Sequence, residues 1–239
     1  MKNTHTKFNC LMALAGLIAF AAPLSVNATS IPEITIKDLT GPNTWTILDN
    51  IGPTDWNAAV GGILFFNQTY ASWTVSATFD PNAGTAVAPV INITASELSP
   101  HAGGGLEIEF SSMGFGPTNG IFKTSIGGTV GLGGSVTYNT YASTDDLLYG
   151  TNTPLTSYAF NAITGTSFQH DAFHPVALGA PYSVTQVIDY TNVSGTGDPV
   201  HSNGFVAKMW VENVPEGSAT LGLLGIALLA LGFIKRRRN

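Results

Sequence analysis

His170 and His174, in the run Gln169-His170-Asp171-Ala172-Phe173-His174, have the i, i+4 spacing that would set two zinc ligands on one helical face. The run lacks the Glu of a metalloprotease motif and is expected to be a loop leading into Pro175. On a strand the two rings would share a face but stand about 13 Å apart, too far to chelate one ion. Zinc is therefore not expected. Glu107 and Glu109 would project from one strand face about 6.6 Å apart, which overlaps the carboxylate separations of glycosidases. Their alternation with Leu106, Ile108 and Phe110 already accounts for them as the wet face of a strand. Asp145 and Asp146, with Asp198 further along, offer the oxygen ligands calcium takes, but no EF-hand or Gly/Asp repeat frames them. No cofactor is expected, and calcium is the one weak metal alternative.

Gly127-Gly128-Thr129-Val130-Gly131-Leu132-Gly133-Gly134 has neither the G-x-G-x-x-G spacing nor a Lys-Ser/Thr end, so it reads as a loop or bulge between strands and not as a phosphate cradle. No G-x-S-x-G elbow marks a serine nucleophile. His101 follows Pro100 and His201 precedes Gly204 in a small-residue loop; both read as solvated. Aromatic rings are the remaining chemistry. Of Trp45, Trp56, Tyr70, Trp73 and Trp210, parity puts Trp73 with core residues, whereas Trp210 falls in step with Lys208 and Glu212 on a wetter face. Trp210 is thus the candidate glycan contact, since an exposed ring can stack on a sugar.

The elements that would position these residues are strands. Ala71, Trp73, Val75, Ala77 and Phe79 alternate with Ser72, Thr74, Ser76 and Thr78, and the same period of two runs through Leu106–Phe110, Tyr182–Tyr190 and Phe205–Val211. Further strands are expected at Ile34–Leu39, Thr44–Leu48, Ile63–Phe66, Val90–Thr94, Ile121–Ser125 and Ser135–Tyr141, separated by Gly/Pro/Asn turns such as Asp80-Pro81-Asn82-Ala83-Gly84. One wet face per sheet disfavours a parallel α/β fold. The expected fold is all-β: a single antiparallel β-sandwich, jelly-roll-like, with a C-terminal hydrophobic helix.

Both ends carry export features. Lys2 and Lys7 precede an apolar run from Leu11 to Ala22, and Val26-Asn27-Ala28 supplies small residues before a cut after Ala28, so residues 1–28 are expected to be a signal peptide removed by signal peptidase. Cys10 lies within that leader, leaving the exported chain without disulfides and dependent on its own core. Residues 29–213 are expected to form the ectodomain. They hold three lysines, no arginine and fourteen acidic residues, a net −11, which excludes nucleic acid as a partner. At the other end Ala219–Ile234 carries no charge and would make a helix roughly 24 Å long, close to a bilayer's apolar thickness. Lys235, Arg236, Arg237 and Arg238 then act as a membrane stop on the cytoplasmic side.

The order Val214-Pro215-Glu216-Gly217, small spacer, apolar helix and Arg-rich end, over residues 214–239, resembles the PEP-CTERM sorting signal; the family usually has Pro where this chain has Gly217. The resemblance implies processing by exosortase, a membrane cysteine protease, in a bacterium that makes exopolysaccharide. The reading that follows is a non-enzymatic exported protein of the cell surface or extracellular matrix, linked to exopolysaccharide or biofilm. Its alternatives are a glycan-binding, lectin-like module and a secreted hydrolase of polysaccharide.

Overall fold

The computed structural model describes residues 32–49, 62–70, 73–80, 88–100, 104–163, 166–179, 181–192 and 204–213. The leader, Trp56, His101, Asp198, His201 and the whole tail from Val214 lie outside the described residues, so the expectations placed on them are not met or refuted by the fold. Among the described residues no helix is long and apolar enough to cross a membrane.

Alternating apolar residues produce twelve strands: β1 (Glu33–Asp38), β2 (Thr44–Leu48), β3 (Ile63–Tyr70), β4 (Trp73–Asp80), β5 (Val90–Pro100), β6 (Gly104–Phe115), β7 (Thr118–Thr129), β8 (Ser135–Ser143), β9 (Thr153–Asn161), β10 (Ser167–Leu178), β11 (Tyr182–Asn192) and β12 (Gly204–Asn213). They pair antiparallel into two six-stranded sheets, β2-β1-β6-β11-β8-β9 and β10-β7-β12-β5-β4-β3. The expected antiparallel sandwich is what the chain forms.

One side chain in two from each strand enters the space between the sheets, as the pleat requires. Phe79 on β4 stacks on Phe110 of β6 at 5.8 Å, Trp73 on β4 meets Tyr190 of β11 edge-on at 5.9 Å, and Phe122 on β7 meets Tyr182 of β11 at 6.4 Å. Each such ring withdraws enough apolar area to contribute about 1.5–3 kcal/mol. Trp45 is half-buried on β2 and packs edge-on against buried Tyr70 at 5.1 Å, so this pair and Trp73 are packing residues rather than a sugar platform.

Two stretches depart from expectation. His170 and His174 lie in strand β10, not in a loop, and β9 was not anticipated at all. Both are edge strands, each paired on one side only. Pro175 is tolerated there because an edge strand has backbone amides that no neighbour needs. The Gly-rich run also divides: Gly127 and Gly128 belong to β7, and the turn comes only after Thr129. Gly128 is required by contact, since a Cβ there would stand 2.1 Å from the Gly204 carbonyl oxygen of β12.

Candidate functional site

The sandwich has two outer faces, and they differ. On the first sheet, register sets Lys37 (β1), Glu107 (β6), Asp189 (β11) and Thr137 (β8) in one row across four strands. Lys37 Nζ donates to Glu107 Oε1 and to Glu109 Oε2, both at 2.6 Å. The two carboxylates read as a possible catalytic pair are therefore clamped on one lysine. Burial opposes the charge of Lys37, but the two Glu acceptors outweigh it and raise its pKa. Asp189 accepts from Thr137 Oγ1 at 2.7 Å, and its carboxyl is raised by burial, against the Thr137 bond and with the help of the Glu107 charge.

Residues 144–152 fold over the same face and close it further. Gly114 N donates to Asp146 Oδ1 (2.7 Å), Ser183 Oγ to the Leu147 carbonyl (2.6 Å), Tyr149 N to Ser111 Oγ (2.8 Å), and Thr35 Oγ1 to Tyr149 Oη (2.6 Å). These bonds satisfy polar groups on strands that the segment has buried, as burial demands. Asp146 and Tyr149 take left-handed φ values of 51° and 59° to make the path. Asp145 accepts from Asn152, so Asp145 and Asp146, two of the three aspartates considered for calcium, serve this segment. Among the described residues no group of three His, Cys, Asp or Glu could hold a metal ion.

His170 and His174 share the inner side of β10, as strand parity requires. The His170 ring stacks on Tyr158 of β9 at 4.3 Å with planes 9° apart, and Phe168 packs on Phe160 beside it at 5.5 Å. These contacts tie the two edge strands together. His170 is a packing residue there, and nothing brings His174 to it.

Among the described residues, no segment covers the outer face of the second sheet as residues 144–152 cover the first. β12 turns Phe205, Ala207, Met209 and Val211 into the core, which leaves Val206, Lys208, Trp210 and Glu212 outward. Register aligns Phe173 (β10), Lys123 (β7), Trp210 (β12) and Val90 (β5) in one row. Phe173 is 76% exposed and Val206 55% exposed. Two strand spacings separate Phe173 from Trp210, roughly 10 Å. Lys208 Nζ lies 5.0 Å from the Trp210 ring centroid, an exposed cation–π contact of about 0.5–1 kcal/mol. Lys123 pairs with Glu212, whose side chain is 59% exposed, and a pair so wet contributes about 0–1 kcal/mol. Parity in the sequence places Trp210 on this face. Phe173 escapes sequence reasoning because its strand does, and Lys123 joins the row only through the β7–β12 register.

What this arrangement presents is two aromatic surfaces and two ammonium groups on four hydrogen-bonded strands, which is chemistry suited to adsorbing a ligand.

Three comparisons bear on the chain. Residues 213–238 match the VPDSG-CTERM motif, a signal related to PEP-CTERM. The chain reads Val214-Pro215-Glu216-Gly217-Ser218 there, which shares Val-Pro with that motif and differs over the next three positions; the match supports an exosortase-type signal and not the PEP-CTERM name. No curated protein matches. Among solved structures the chain is similar to TmCBM61 in complex with beta-1,4-galactotriose, at 9% identity over 60% of this chain and 90% of that one, with TM-score 0.32. It is similar to a structure of carbohydrate-binding modules from the beta-sandwich superfamily at 9% identity over 78% and 75%, TM-score 0.32. Arthrobacter globiformis T6 isomalto-dextranase complexed with panose aligns at 12% identity over 77% of this chain and 33% of that one, TM-score 0.27. All three TM-scores fall below 0.5, and these likenesses carry no argument about ligand or activity. The tail match supports an exosortase-type C-terminal sorting signal and, with it, an exported protein.

Proposed function

We propose that this chain is a non-enzymatic exported protein of the cell surface or extracellular matrix, and that its sandwich binds matrix polysaccharide through the outer face of the second sheet. The Phe173–Lys123–Trp210–Val90 row carries the reading, with its exposed ring, its half-buried ring and its backing of four hydrogen-bonded strands. The opposite face supports a non-catalytic role: Glu107 and Glu109 are occupied by Lys37. In this reading residues 1–28 are removed on export and residues 29–213 form the working domain. Residues 219–234 hold it at the membrane, with Lys235 to Arg238 on the cytoplasmic side, until an exosortase acts at Val214 to Gly217.

The test is co-sedimentation of the full-length protein with insoluble extracellular polysaccharide from a producing bacterium. Wild type is expected to pellet with the polymer, and Trp210→Ala to bind about tenfold or more weakly, equivalent to roughly 1.4 kcal/mol. Unchanged binding by Trp210→Ala and Phe173→Ala, both outward-facing and so compatible with folding, would overturn the reading.

A further inference from the structure

We propose that the polysaccharide bound on this face carries carboxylate groups, as a polyuronate does; the inference rests on the binding reading above and adds its chemical class. Between residues 29 and 213 the chain spends only three lysines and no arginine. Lys37 is committed to Glu107 and Glu109 on the opposite side of the sandwich. Both of the others, Lys123 and Lys208, stand at Trp210: Lys123 directly across from it on β7, and Lys208 two residues before it on β12. Lys208 pairs in register with Ser125, which makes Lys123 its diagonal neighbour at roughly 7–8 Å.

Each lysine is held in a way that a ligand anion can replace. The Lys123 ammonium already grips a carboxylate, that of Glu212, in an exposed pair, so a uronate can take the same place with the same geometry. Among the described residues Lys208 has no acidic partner; its ammonium rests over the indole instead. A carboxylate that draws Lys208 aside gains a charge contact and uncovers the ring on which its sugar stacks. One movement thus couples charge to stacking.

Charge elsewhere sharpens the choice. The ectodomain's net −11 repels polyanions in general, and Asp171, opposite Ser125 on β10, tempers this face too. At physiological salt those fields fade within about 8 Å, so the lysines that touch the ligand decide. Attraction to a carboxylated polymer must therefore be local to this row.

The experiment is affinity electrophoresis of the full-length protein in gels holding polygalacturonate or the same polymer after carboxyl reduction, which keeps the chain and removes its charge. Wild type is expected to be retarded by polygalacturonate at least tenfold more strongly than by the reduced polymer. Lys123→Ala/Lys208→Ala should erase that preference, and Lys208→Ala alone should bind the reduced polymer as well as or better than wild type, its ring being uncovered. Equal retardation by both polymers that Trp210→Ala abolishes would overturn the charge inference and leave polysaccharide binding standing. Retardation by neither polymer, or retardation indifferent to Trp210→Ala and to the lysine pair, would overturn both.

Discussion

The two outer faces are made from the same pleat and treated in opposite ways. On the first sheet Lys37 is shared by two glutamates, an aspartate is pushed toward its protonated form, and residues 144–152 seal the hydroxyls of Ser111 and Ser183. On the second sheet, among the described residues, nothing covers the exposed Phe173 or the outward Trp210 in this way, and the polar contacts there are single and wet. Closed polar networks hold a fold; open aromatic rows with loosely held charges receive something from outside. On the proposed reading, the difference separates where stability resides from where recognition would, in a domain that has no disulfide to lean on.

Substitutions can break that contrast. Lys37→Ala leaves two mostly covered carboxylates and Asp189 facing each other without a cation; it is expected to cost about 1–3 kcal/mol of unfolding free energy by chemical denaturation. A cost equal to that of Lys123→Ala, whose carboxylate partner Glu212 is exposed where those of Lys37 are covered, would erase the distinction between the faces. Tyr149→Phe removes the acceptor for Thr35 at the seal and should cost about 1 kcal/mol, with faster amide exchange in residues 144–152. Asp189→Asn should act in the opposite direction. A carboxyl whose pKa is raised on folding binds more protons folded than unfolded, so its ionisation lowers stability as pH rises through that range. The variant is expected to melt higher than wild type at pH 7, the gain vanishing as pH falls below the normal carboxylate range. A gain independent of pH would show that the acid's charge is not what burial opposes. Lys123→Ala is expected to lie within about 0.5 kcal/mol of wild type, as a solvated pair should.

Much of this was legible in the chain itself. Strands β4, β6, β11 and β12 announce themselves by strict alternation, because each sends apolar side chains to the core and polar ones to the opposite face, whether that face meets water or the 144–152 segment. Trp210's side followed from parity alone. Strands β9 and β10 did not show, since at a sheet edge the inward positions are only half covered and need not be strongly apolar; His170, Ala172 and His174 occupy them on β10, and Pro175 reads as a stop. With β10 unseen, Phe173 could not be placed. The opposition of Asp189 to Glu107 was equally hidden, because pairing across so many residues is fixed by register and not by any local pattern.

Strand β12 bears the platform's indole and ends at Asn213, where the tail match begins. It lies inside its sheet, laddered to β7 on one side and β5 on the other. Tension from an anchored tail would therefore run along a strand gripped from both flanks. Its rungs would resist together in shear, where an edge strand would peel rung by rung. On the proposed reading, a domain tied to its anchor in this way would be suited to holding a polymer against drag.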